Sequence, residues 1–248
     1  RIYTPPDALL PAYEHMLRII GIERVVLVQP SIYGHNNKVM LQAMNKTSFN
    51  ARGVAVLPLN TGQAELETLH AAGIRGVRFN LVDVKNPGTR PPIAEIGSFA
   101  KRIKPMGWHV EFLIHVDDYP DFETMFKDFP VDIVIGHFGY FRPGCPLEHP
   151  GFQGLLNLAE SGQCWVKLTG PYRVAAEDLP YADIDPFARA LITRAPHRLL
   201  WGSDWPHVMM KKTMPDDGLL ADTLERYASH KTLRRQILVD NPAKLYQF

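Results

Sequence analysis

The 248-residue sequence predicts an α/β fold, a (β/α)8 TIM barrel of which this chain supplies seven strands and lacks the first. Two observations predict it. Short apolar runs recur along the chain, most of them continuous rather than alternating, as in parallel strands covered on both faces. Amphipathic segments with apolar residues three and four apart lie between those runs, and strand–helix alternation builds a parallel sheet with right-handed crossovers.

In order, the strand runs are RVVLVQP (24–30), GVAVLPL (53–59), GVRFNLV (76–82), HVEFLIH (109–115), DIVIGHF (132–138), CWVKLTG (164–170) and RLLWGSD (198–204). Each follows a helix-like segment: PPDALLPAYEHMLRIIG, NNKVMLQAMNKTS, GQAELETLHAAG, PPIAEIGSFAKRIKPMG, DYPDFETMFKDFP, GFQGLLNLAESG and IDPFARALITRAP. Gly21, Gly73, Gly107 and Gly162 stand where helices stop. A helical tail follows the last strand. The chain opens on a helix with no strand before it, so the simplest completion places the first strand upstream of Arg1 and leaves a gap in the wall between the runs at 24–30 and 198–204. An open doubly wound sheet is the rival, weakened because no strand is followed by a glycine-rich dinucleotide fingerprint. With no linker or repeat, residues 1–248 read as one domain.

Composition narrows the function classes. Lys and Arg number 27 against 26 Asp and Glu, so no basic face points to nucleic acid. No apolar span of about 20 residues and no signal peptide points to a membrane or to secretion. Cys145 and Cys164 lack metal-type spacing, and a reduced cytoplasmic setting is the expectation.

Barrel enzymes build their sites from strand C-termini and the loops after them. Here those positions are polar: Gln29, Ser31 and Tyr33; Arg78 and Asn80; His115 and Asp117; His137; Lys167, Thr169 and Arg173; Asp204 and His207. Each alone has a structural explanation. Asp204 is an N-cap candidate, although Ser203 serves as well; Arg78 has apolar neighbours and needs an anionic partner if buried. Together they converge on one rim. His70, His149, His197 and His230 are assigned to helices and loops, His109 to the opposite rim, and mid-strand Glu111 to pairing with a cation inside the barrel.

The set resembles the amidohydrolase superfamily, in the branch of predicted metal-dependent TIM-barrel hydrolases. VIGHFG resembles the histidine segment of the family's sixth strand and LLWGSDWPH the aspartate segment of its eighth. RIYTPP, VLVQPSIYG, GVRFN and VKLTGPYRV are similar to the 2-pyrone-4,6-dicarboxylate lactonases and sugar-lactone hydrolases. The resemblance implies a first strand with a His-x-His pair before Arg1. Metal-dependent members use that pair with a later histidine and the last strand's aspartate, of which His115, His137 and Asp204 have counterparts here. The lactonase subgroup works without a metal; zinc or manganese enters only if the upstream pair is present.

These residue types fit hydrolysis of a cyclic ester. Asp204 is the expected base that activates water, and His137 the expected donor to the carbonyl oxygen. Arg78 and Arg173 suit substrate carboxylates, with Lys85 as the candidate for a third cation. Ser31, Tyr33, Tyr3, His115 and His207 complete the expected lining. The expected partner is a small dicarboxylate or lactone, with self-association left open. Two alternatives stand beside this: a metal-dependent decarboxylase of a small aromatic or unsaturated acid, and a carboxylate-binding barrel without turnover.

Overall fold

The computed structural model describes residues 4–82, 90–210 and 212–248. Seven strands form one parallel sheet: β1 (Arg24–Val28), β2 (Asn50–Ala55), β3 (Ile74–Asn80), β4 (His109–Leu113), β5 (Ile133–Ile135), β6 (Cys164–Thr169) and β7 (Leu199–Gly202). Helices α1 (Leu10–Ile19), α2 (Lys38–Lys46), α3 (Gln63–Ala71), α4 (Ile93–Ile103), α5 (Phe122–Phe126), α6 (Pro150–Glu160) and α7 (Asp185–Arg194) precede them one by one. Then come α8 (Asp217–Tyr227), α9 (Lys231–Arg235) and α10 (Asn241–Tyr246). The strands pair in chain order without reversal, which removes the doubly wound rival. Among the described residues β1 pairs only with β2 and β7 only with β6, so the wall is open where the sequence placed its gap.

The apolar runs locate the strands but misplace some ends. The run at 53–59 becomes a strand that starts at Asn50, because Asn50, Ala51 and Arg52, outside the apolar run, pair with Arg24, Val25 and Val26. It stops before Pro58, which has no N–H to give a ladder. The four glycines expected to stop helices all take positive φ.

Register places alternate residues on one face. Arg78 is opposite Glu111, Glu111 opposite Val134, Val134 opposite Trp165, and Lys167 opposite Leu200. Near its base this inner face is apolar. Val54, Val134, Trp165 and Leu200 pack with Leu245 and Tyr246 of α10 in a cluster separate from the larger core under the helices. Each such buried side chain contributes about 1.5–3 kcal/mol. His109, at the start of β4, is enclosed here against the Tyr246 ring at 5.3 Å. Burial lowers its pKa to about 4, so it is neutral and structural, in agreement with its position on the opposite rim. The base is therefore closed by α10, and the polar residues lie toward the strand C-termini.

Candidate active site

Two buried charged clusters occupy the inner face and the mouth. The lower one joins β3, β4 and β6. Glu111 receives Lys167 Nζ at 2.5 Å on Oε2, and Arg78 Nε stands 4.0 Å from Oε1. This meets the expectation that Glu111 pairs with a cation. Burial raises the Glu111 pKa, but Lys167 and Arg78 outweigh it and hold the carboxyl below its usual range. Arg78 Nη1 donates to Ser31 Oγ at 3.2 Å, and Asn80 Nδ2 donates to the same oxygen at 2.9 Å. Ser31 is presented by a 3₁₀ turn, Ser31–Tyr33, after β1. Gln29 secures that turn by donating from Nε2 to the Asn36 carbonyl at 2.8 Å. Among the described residues the cluster has two cations to one carboxylate, all nearly out of solvent, and so favours an anionic ligand.

The upper cluster is built on the loops after β6 and β7. Asp204 Oδ2 accepts from Arg173 Nε at 2.5 Å and from the Tyr172 hydroxyl at 2.7 Å. Tyr172 and Arg173 share the 3₁₀ turn Pro171–Arg173. The Tyr172 oxygen is 2.9 Å from His207 Nδ1, and His207 Nε2 is 3.1 Å from Asp217 Oδ1 at the start of α8. Arg173 Nη2 also donates to the Val208 carbonyl at 3.2 Å. Burial would raise the Asp204 pKa; the nearby His137 and Arg173 and the two hydrogen bonds reverse this and hold it below the usual range. Burial, followed by the Asp204 charge, pushes the Tyr172 hydroxyl up, so it remains a donor.

His137 stands beside Asp204, in the turn His137–Gly139 after β5. Burial lowers its pKa to about 4, so the ring is neutral. Its Nδ1 lies 3.1 Å from the Thr169 carbonyl, which can only accept. Nδ1 therefore carries the hydrogen, and Nε2 presents a lone pair. A neutral ring so anchored accepts at Nε2, whereas the expected donation to a carbonyl oxygen requires a proton there. His115 Nδ1 likewise meets the Tyr140 carbonyl at 2.5 Å, and the Tyr140 ring stacks on His115 at 4.7 Å and lies 5.1 Å from His137. Gly170, with φ +56, separates the upper groups: a Cβ there would lie 3.0 Å from both Asp204 Oδ2 and His137 Nδ1. The loops after β5 and β7 hold six non-glycine residues at positive φ: His137, Phe138, Tyr140, Asp204, His207 and Met209.

The structure thus brings Asp204, His137 and Arg173 together and places Arg78 with Ser31. His207 is 4% exposed and is held by protein partners, not turned to the pocket as lining. Arg173 is no free fork: Nε and Nη2 are engaged, which leaves Nη1. Among the described residues no helix starts at Asp204, so it has no capping duty; it pairs instead with Arg173, while Ser203 Oγ accepts from the Trp205 N–H. Tyr33 stands exposed at the rim. Tyr3 and Lys85 lie outside the described residues. Sequence reasoning missed Tyr172, Tyr140 and Asp217. Adjacency to Arg173 was the one signal for Tyr172, and Asp217 was hidden by its place in a helix start.

The implied metal does not fit the described residues. Among them no three His, Cys, Asp or Glu side chains are grouped to hold one, and the Arg173 guanidinium already sits on Asp204 Oδ2, where it would repel a divalent cation. Nor is any helix among the described residues long and apolar enough to cross a membrane.

The sequence profile of a family described as amidohydrolase matches residues 1–248. A 2-pyrone-4,6-dicarboxylate hydrolase of Comamonas testosteroni is 37% identical, over 99% of this chain and 83% of its own length. A 4-sulfomuconolactone hydrolase of Rhizobium radiobacter is 35% identical over the same shares. A crystal structure of a probable 2-pyrone-4,6-dicarboxylic acid hydrolase of Acinetobacter baumannii, with citric acid bound, superposes with a TM-score of 0.86 at 29% identity, covering 100% of this chain and 92% of that one.

Proposed function

This chain belongs to the amidohydrolase family, and on that premise we propose that its barrel mouth hydrolyses a small carboxylated lactone. One observation carries the reading: Oδ2 of Asp204 is filled by two donors, leaving Oδ1 as the carboxylate oxygen able to receive a proton beside the neutral His137.

The chemistry follows from those atoms. A water held between Asp204 Oδ1 and the Nε2 lone pair of His137 attacks the ester carbonyl. Its proton passes to Oδ1 as the new C–O bond forms. The carbonyl oxygen gains negative charge beside Arg173, whose Nη1 is the remaining donor, and guanidinium stabilisation of that charge lowers the barrier. The ring C–O bond then breaks, and the leaving oxygen takes the proton from Asp204. A carboxylate held below its usual pKa is a weak base but a ready acid. That balance suits an enol-ester lactone, whose leaving oxygen is stable, better than an alkyl lactone. The excess positive charge around Arg78 and Lys167 receives a substrate carboxylate. No step requires a metal from these residues.

The relatives' names supply the first substrates to try: 2-pyrone-4,6-dicarboxylate and 4-sulfomuconolactone. Loss of the ring's ultraviolet absorbance with uptake of one base equivalent per turnover is the expected result. A folded protein that binds these lactones but opens neither them nor any other carboxylated lactone overturns the reading and leaves a binding barrel.

A further inference from the structure

Asp204 and Asp217 end a hydrogen-bonded row in the upper cluster, with Tyr172 and His207 between them. The three links measure 2.7, 2.9 and 3.1 Å, and both inner side chains are nearly fully buried. Each link needs one hydrogen. Ionised carboxylates supply none, and the Tyr172 hydroxyl supplies one. His207 must therefore supply two. A neutral imidazole leaves one link as two facing lone pairs. In one arrangement Nε2 confronts Asp217; in the other, Tyr172 turns its hydrogen to His207 Nδ1 and abandons Asp204. Charge leads to the same answer. With His207 doubly protonated, the charges of Arg173, Asp204, His207 and Asp217 cancel. Asp217 is available for this because Asp216 already caps α8, accepting from the Leu219 N–H.

We propose that His207 is a positioning residue, held as imidazolium by Asp217, whose Nδ1–H fixes the Tyr172 hydroxyl hydrogen on Asp204. Filling Oδ2 in this way aims Oδ1 at the water. The proposal rests on the reading of Asp204 as the base. The titratable and charged groups around the row are Tyr172 from the 171–173 turn, Asp217 from α8, Asp204 and Arg173 one contact further on, and Tyr13 of α1, which faces Asp217.

Two measurements test it. In protein labelled with ¹⁵N-histidine at neutral pH, His207 should show two ring N–H groups; a single one overturns the proposal, whatever the enzyme's activity. Kinetically, His207→Asn keeps a donor near the Nδ1 position, whereas His207→Asp, of the same shape, can only accept. The Asp variant's kcat should lie at least ~10-fold below that of the Asn variant, with KM within ~2-fold. In a Tyr172→Phe background the difference should vanish, since the message passes through that hydroxyl. Equal kcat for the two folded variants, or a difference that survives Tyr172→Phe, overturns it. Retained turnover in Asp204→Asn would instead sink the base assignment, leaving the ¹⁵N result to decide the state of His207.

Discussion

The two charged clusters differ in whether they are complete. The lower, Arg78–Glu111–Lys167, has among the described residues two cations to one carboxylate in a nearly dry place. The upper, around Asp204, has a donor for every acceptor in its row and a partner for every charge. An unbalanced buried cluster is held in readiness for a ligand that completes it, at a cost in stability. A balanced one keeps geometry and gains little from any ligand's charge. The proposed function therefore divides binding and chemistry between two layers of one barrel. On the proposed reading, the lower layer receives an anion and the upper holds a base.

The largest effect should break the upper cluster. Asp204→Asn keeps the shape and removes the proton acceptor, and kcat should fall by ~10²-fold or more with KM nearly unchanged. If kcat falls and KM rises together because substrate binding is lost, the division is wrong.

Acid should loosen both layers, through one histidine in each region. His109 at the base and His137 at the mouth are both neutral, with pKa values lowered to about 4 chiefly by burial. An unfolded histidine binds a proton near pH 6.5, so between about pH 6.5 and about 4 the unfolded chain takes up more protons than the folded one. Stability from this source is full above that window and falls as pH drops through it, by on the order of 3 kcal/mol per ring. Urea melts across the window check this, and His109→Leu should flatten part of the slope. An unchanged slope in a folded His109→Leu protein would contradict the neutral assignment.

A smaller effect separates the layers by kinetics. Arg78→Met should lower kcat/KM for a carboxylated lactone by at least ~10-fold, mostly through KM, since a charged hydrogen bond contributes about 1.5–3 kcal/mol. A loss confined to kcat would move Arg78 into the upper layer's task. The smallest effect is Gly170→Ala. The left-handed backbone there costs about 1–2 kcal/mol for alanine, and the added methyl presses on Asp204 and His137. A melting curve and kcat should both shift modestly; a shift in stability alone would show that the two groups have room to move apart.

Much of this was readable in the sequence, for physical reasons. Continuous apolar runs are what a doubly covered parallel strand requires, and polar residues at their ends have few structural explanations. So the seven strands, the open wall and the meeting of Asp204, His137 and Arg173 were legible. Tyr172 was not, because a tyrosine beside an arginine in a short turn reads as core. Its value comes from a contact with His207, 35 residues away. Asp217 was hidden for a similar reason: an acid in a helix's first turn is ordinary. The direction of the His137 hydrogen bond also lay beyond sequence, since only the Thr169 carbonyl determines which ring nitrogen is left open.

The six left-handed residues after β5 and β7 bear on anyone who would make this protein sturdier. Each such position costs of order 1–3 kcal/mol of backbone strain. A stabilisation screen would find glycine attractive there wherever the side chain is not packed in the core as Phe138 is, and exposed Met209 would rank among the first hits. Those gains would come at the two loops that hold His137 and Asp204 in place. Heat resistance is better sought in the helices on the outer layer, with both loops excluded from the mutagenesis library.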